Sequence, residues 1–188
     1  SLRTATGKPA PMVQIRVVDA EMNDVPRDGV STGEIVARAP WLTQSYLKNE
    51  AGTKALWHGG WLHTGDVGLF DNMGTLRITD RLKDVIKTGG EWVSSLELEN
   101  LASDVDGILE VAAIGIPDPK WGERPLLVIA AVGDAPAIET KLRATFAHAV
   151  TSGALSKWAV PDQIEFVDCL PKTSVGKLDK KVLRTTFT

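Results

Sequence analysis

A chain of 188 residues is long enough for one domain or two small ones, and 43% apolar with 24% charged residues suits a soluble globular protein. Its formal charge of −3 argues against a general nucleic-acid binder. The longest apolar run, Leu126–Val132, is far shorter than the roughly 20 residues that cross a bilayer.

The opening segment "SLRTATGKPAP" lacks the apolar core of a secretory leader. Its "TGKP" piece, Thr6–Pro9, reads as a plain loop. From Met12 to Thr79 the pattern is strand-like and rich in turns. "VQIRVVD" places Val13, Ile15 and Val17 on one face, the alternation of a half-buried strand. "PRDGVSTG" is a turn cluster, and "EIVARA" reads as the returning strand. "DNMG" separates "DVGLF" from "TLRIT", which predicts a hairpin. This half is expected to be a small β-sheet or barrel.

After Asp84 the pattern mixes helix and strand. Ser94 and Glu97 have capping-box spacing, and Leu98, Leu101, Ala102 and Val105 then form one helical stripe that Gly107 closes. "EVAAIGI" and "PLLVIAAV" read as buried strands around a loop, "PDPKWGER". Ile138, Leu142, Phe146 and Ala149 mark a second helix, "QIEFVD" a third strand and "KKVLRTTF" a terminal helix. The expected fold class is α+β, with a central three-stranded sheet in this second half. The boundary falls inside "DRLKDVIKTGGE", Asp80–Glu91.

Three motifs carry residues suited to nucleotide chemistry. In "GWLHTGD", Gly65 permits positive φ, and Asp66 either closes a turn or accepts hydrogen bonds from a diol such as a ribose. In "ITDRLKD", the planar fork of Arg81 either meets phosphate and ribose oxygens or forms a surface salt bridge with Asp80 or Asp84. In "PKTSVGKLDKK", Gly176–Lys177 lacks the spacing of a Walker loop. It is either a solvated basic loop or the carrier of one point charge for a developing anion. His58, His63 and His148 lack metal-ligand spacing, and the single Cys169 leaves no internal disulfide, which fits a reducing cytoplasm.

Taken in order, "GWLHTGD", "ITDRLKDVIKTGGEWVSSLELE", "PDPKWGERP" and "LPKTSVGKLDKKVLR" resemble the C-terminal part of the adenylate-forming enzymes, the superfamily of acyl-CoA synthetases, luciferases and peptide-synthetase adenylation domains. "GGEWVSSLELE" and "PKWGERPLL" look most like medium-chain fatty acyl-CoA ligases, including those for methylthio-propionate. The resemblance implies a distorted β-barrel remnant of the large domain over residues 1–82 and a mobile α+β lid over residues 83–188, with the hinge at Lys83. It implies a two-step reaction: a carboxylate and ATP give an acyl-adenylate and pyrophosphate, then the thiol of coenzyme A displaces AMP. The substrates implied are a carboxylic acid, ATP with magnesium, and coenzyme A. The ATP-gripping loop, acyl pocket and magnesium ligands belong to an N-terminal domain expected upstream of Ser1. On that expectation these residues alone have no ligase activity.

Residue by residue, Asp66 matches the ribose-binding Asp and Arg81 the Arg that contacts AMP ribose and phosphate. Lys177 matches the adenylation lysine. Gly89 and Gly90, with Glu91, match the loop that lines the pantetheine tunnel; an ordinary turn is the plainer reading of the two glycines. Lys87 and Trp92 are candidates for a role in the second step, although Trp92 stands where several acyl-CoA ligases carry a phosphate-contacting Arg. Trp121 and Trp158 match regions that bind the adenine of coenzyme A, with core packing as the alternative. Lys157 or Arg124 are candidates for its phosphates, whereas Val160 and Asp162 replace residues that are basic in some relatives. A peptide-synthetase adenylation domain or a non-catalytic module binding coenzyme A or a partner protein are the competing readings; the first is disfavoured by the absence of a carrier segment before Thr188. No metal site, nucleic acid or membrane is expected; a cytoplasmic location is, and the oligomeric state is left open, with a homodimer among the options.

Overall fold

The alternation of "VQIRVVD" becomes strand β1 (Gln14–Val18), which pairs antiparallel with β2 (Gly33–Arg38). The computed structural model describes residues 6–187, so the leader-free reading of the opening segment falls partly outside the described residues. The chain divides into two compact units, Ser1–Lys83 and Asp84–Thr188.

In the first unit, β1 and β2 continue into β3 (Leu62–Phe70) and β4 (Leu76–Arg81), antiparallel in the order β1-β2-β3-β4. The "DNMG" hairpin joins β3 to β4: Asp71 accepts from the N–H groups of Met73 and Thr75, a side chain that closes its own turn. Val17, Ile35, Phe70 and Leu76 form the core of one face. The sheet is open among the described residues, not closed into a barrel. A short helix α1 (Glu50–Leu56), not foreseen from sequence, precedes β3; Asn49 caps it by accepting from Gly52 N–H at 2.8 Å. The "TGKP" loop is partly sheet edge, because Gly7 bridges Leu76.

The second unit begins with a hairpin, β5 (Ile86–Thr88) and β6 (Glu91–Val93). Helix α2 (Ser95–Ser103) follows, with Ser94 Oγ accepting from Glu97 N–H as its cap. Then come β7 (Ile108–Asp118), β8 (Gly122–Ala131), α3 (Ala135–Thr151), β9 (Gln163–Phe166) and α4 (Lys180–Phe187). Strands β7, β8 and β9 form the expected three-stranded sheet, β9 running parallel to β8, and the β5–β6 hairpin extends it to five. The continuous apolar run of β8 has a simple cause: both faces are covered. Leu127 and Ile129 pack with residues of α2 and α3, while Leu126 and Val128 pack with Leu183 of α4.

One expectation needs correction here. "PDPKWGER" is mostly strand, because β7 and β8 stay paired out to Asp118 and Gly122. The Asp118 carboxylate accepts from Lys120 and Trp121 N–H, and Gly122 takes φ 80°, which tightens the connection to three residues, Pro119–Trp121. The C-terminal helix is also tied down by charge. Lys180 Nζ meets Glu99 at 2.6 Å and Ser95 Oγ at 2.7 Å, and Arg184 meets Asp84 at 3.0 Å. Among the described residues, no helix is long and apolar enough to cross a membrane.

Candidate active-site elements

Asp66 and Arg81 are directly opposite each other on β3 and β4, and Arg81 Nε lies 2.8 Å from Asp66 Oδ1. The surface partner expected for Arg81, Asp80 or Asp84, is therefore replaced by Asp66. Asp80 instead accepts from the Arg81 backbone N–H, and Asp84 holds Arg184. The pair remains reachable: the Arg81 side chain is 65% exposed and that of Asp66 27%. Behind it, Glu34 accepts from Gly65 N–H at 3.3 Å and lies 2.8 Å from His63 Nδ1. Gly65 takes φ 71°, and its carbonyl accepts from Leu82 N–H. "GWLHTGD" is thus fixed from β2 and from the far end of β4. The role of Glu34 was not legible in sequence because it depends on the β2–β3 pairing, 31 residues apart.

Lys177 lies on a tight loop of the second unit. Thr173 N–H donates to Lys177 O at 2.7 Å, Gly176 N–H donates to Thr173 O at 2.9 Å, and Gly176 takes φ 78°. The backbone is locked and the side chain exposed; among the described residues its ammonium forms no hydrogen bond or ion pair. A fixed backbone with a free cationic tip is what a donor to a developing anion requires.

Gly89 and Gly90 are the two central residues of the β5–β6 turn, with φ of 59° and 84°. Two successive positive φ values favour glycine, so the turn alone explains both residues. Both are exposed, as is Glu91. Lys87 lies opposite Trp92 in the hairpin, its Nζ 5.3 Å from the indole centre.

The structure brings Trp121 and Trp158 together, ring centres 4.7 Å apart and tilted by 42°. Both are partly exposed, and each indole carries a lysine: Lys120 at 4.4 Å and Lys157 at 4.6 Å. Gly89 N–H donates to Trp121 O, which joins this cluster to the glycine turn. Arg124, a candidate for the phosphates of coenzyme A, is not available for them. Only 9% exposed, it gives Nε and one Nη2 bond to Asp162, Nη1 bonds to Thr88 Oγ1 and Trp158 O, and a second Nη2 bond to Val160 O. Those five bonds use every donor a guanidinium has. Asp162 is therefore the partner of Arg124 rather than a lost phosphate contact.

The hydrogen bonds from Arg124 hold the Asp162 carboxyl below the usual range. A depressed carboxyl contributes stability above its unfolded value, near 3.8, and loses it as pH falls through the lower folded value. Asp162→Asn is thus expected to melt below the unsubstituted chain at neutral pH, with the gap closing below pH about 4. Asp19, Asp28 and Asp71 are also depressed, Asp28 to about 2, so only the difference between the two melting curves isolates Asp162. A gap independent of pH would contradict the pairing.

Residues 97–177 match the family described as the AMP-binding enzyme C-terminal domain. The second unit therefore carries the AMP-binding enzyme C-terminal domain. The whole chain is 42% identical to a stretch of a long-chain-fatty-acid–CoA ligase of Thermus thermophilus, covering 34% of that protein. Over 99% of its length it is 43% identical to a 3-methylmercaptopropionyl-CoA ligase of Ruegeria lacuscaerulensis, covering 33%. The amide bond synthetase McbA from Marinactinospora thermotolerans superposes on the full chain with a TM-score of 0.80 at 35% identity, over 37% of its own length. The chain therefore spans about a third of the length of these relatives.

Proposed function

We propose that this chain is the C-terminal portion of an AMP-forming acid–thiol ligase, with residues 84–188 as its mobile lid and Lys83 as the joint. The observation that supports it most is Lys177: an exposed ammonium on a backbone-locked loop, in a chain whose other unit presents an Asp66–Arg81 pair suited to a ribose and a phosphate. In the first step a carboxylate oxygen attacks the α-phosphorus of ATP, the α–β bridging bond breaks and pyrophosphate leaves. Lys177 neutralises charge that accumulates at the α-phosphate. Asp66 accepts from the ribose hydroxyls, and Arg81 turns part of its fork to the same nucleotide. In the second step the thiol sulfur attacks the acyl carbonyl, its proton leaves, and the carbon–oxygen bond to AMP breaks. The bare Gly89–Gly90 turn then borders the path of the thiol arm, with Glu91 beside it. Trp121 and Trp158 receive the adenine, and Lys120 and Lys157 face its phosphates. Lys87 and Trp92 border the same path. Among the described residues no three His, Cys, Asp or Glu side chains gather to hold a metal, so no step is assigned to magnesium in this chain.

The acids are proposed to be medium-chain fatty or similar acids and the compartment cytoplasmic. The remainder of the active site is assigned to an N-terminal domain, so these 188 residues alone are expected to make no acyl-CoA from ATP, coenzyme A and octanoate. Turnover by the isolated chain would refute that division of labour. In the longer enzyme, octanoate, ATP and coenzyme A are expected to yield AMP, pyrophosphate and octanoyl-CoA. Formation of an amide from a supplied amine, with coenzyme A ignored, would overturn the thiol assignment.

Asp66→Ala in that enzyme should raise the KM for ATP about ten- to hundredfold, the loss expected for hydrogen bonds to a charged acceptor. Its melting temperature should move little, since an ion pair this exposed contributes at most about 1 kcal/mol. An unchanged KM would remove Asp66 from the nucleotide site.

A further inference from the structure

Resting on the ligase reading, we propose that Arg124 is a positioning residue for the second half-reaction: it fixes the Gly89–Gly90 turn and the Trp121–Trp158 pair as one rigid face. The hairpin that carries the turn meets the main sheet through a single registered pair, Thr88 opposite Gly122. Arg124 reinforces that junction. Its Nη1 donates both to Thr88 Oγ1, at 3.1 Å, and to the carbonyl of Trp158, at 2.6 Å. One nitrogen thus joins the residue preceding Gly89 to Trp158 itself. The ring closes through Gly89 N–H to Trp121 O at 2.9 Å and the contact between the two indoles.

A guanidinium stays charged at all relevant pH, and burying it is costly unless its donors are paired. Here the partners come from two segments: Thr88 at the end of β5, and the stretch 158–162, which supplies the carbonyls of Trp158 and Val160 and the Asp162 carboxylate. Lysine at this position would keep the charge but lose the planar fork. It would have three donors for five acceptor contacts. The exposed face would lose its alignment while the core clusters, built from α2, α3, α4 and the strands, would keep their apolar contacts.

The test uses Arg124→Lys and the milder Asp162→Asn in the longer enzyme, with pyrophosphate release and acyl-CoA formation measured separately. Both variants are expected to raise the KM for coenzyme A about tenfold or more, Arg124→Lys the more strongly, while adenylation stays within about twofold. A purely structural residue would lower both half-reactions by the same factor; that result, or no change in either, overturns the proposal. If the unsubstituted enzyme forms no acyl-adenylate, the ligase reading fails instead. The clamp is then judged on the 188-residue chain by the indole N–H resonances of Trp121 and Trp158. Displacement of both in Arg124→Lys supports it, and unmoved resonances overturn it.

Discussion

Lys177→Ala, introduced into the longer enzyme, is expected to slow acyl-adenylate formation about 10²–10³-fold, or roughly 3–4 kcal/mol in barrier, the usual consequence of removing one preorganised donor to a developing anion. Thioester formation from supplied acyl-adenylate should change by less than about threefold, since on the two-orientation account the lid has then turned and Lys177 no longer serves the phosphate. The asymmetry follows from where the side chain is. The loop backbone is held by Thr173 and Gly176, and the segment beyond it by Lys180 on Glu99 and Ser95. Truncating an exposed tip leaves those bonds intact, so folding should not suffer. Rapid-quench measurement of pyrophosphate and of acyl-CoA separates the two steps. Equal losses in both would contradict the role given to Lys177.

Lys83→Pro is expected to act on the joint rather than on chemistry. Leu82 N–H is held by Gly65 in the first unit, and the Asp84 carboxylate by Arg184 in the second. Lys83 lies between these anchors, exposed, as the last residue of the first unit. A residue so placed can absorb a torsion change with its ammonium in water throughout. Proline fixes φ near −65° and restricts Leu82 as well. One half-reaction should therefore fall about tenfold or more, close to 1.4 kcal/mol, while the other stays near its original rate. If both half-reactions survive unchanged, the turn of chain is at another residue.

Much of the second unit was legible in sequence because its signals are local. Leu98 and Ala102, and Ile138, Leu142 and Phe146, repeat at helical spacing and are all buried. Ser94 announced the start of α2, and the unbroken apolar run of β8 announced a strand covered on both faces. Helix α1 was missed because it buries no residue, so it has no apolar stripe to detect. The site was legible as a set of residues but not as an arrangement. Asp66 and Arg81 were separate candidates in sequence. Their pairing depends on the β3–β4 register, which shifts between Val67 and Gly68. Arg124 was misread for a related reason. Its carboxylate partner lies 38 residues away, and only the parallel docking of β9 beside β8 brings Asp162 to it. Short-range pattern identifies the chemistry; long-range pairing decides which groups are free to perform it.

The account depends on a lid that takes up two orientations about the proposed joint. Spin labels at Met73→Cys, on the β3–β4 turn, and Ala144→Cys, on the outer face of α3, mark the two units at exposed positions once Cys169 and any other cysteines are replaced. Their separation in the longer enzyme should be measured by pulsed dipolar spectroscopy, first with a non-hydrolysable acyl-adenylate analogue and then with AMP and coenzyme A. Two distinct distance distributions, exchanged by ligand and collapsed to one by Lys83→Pro, are the predicted result. A single distribution unchanged by ligand or substitution would contradict the account.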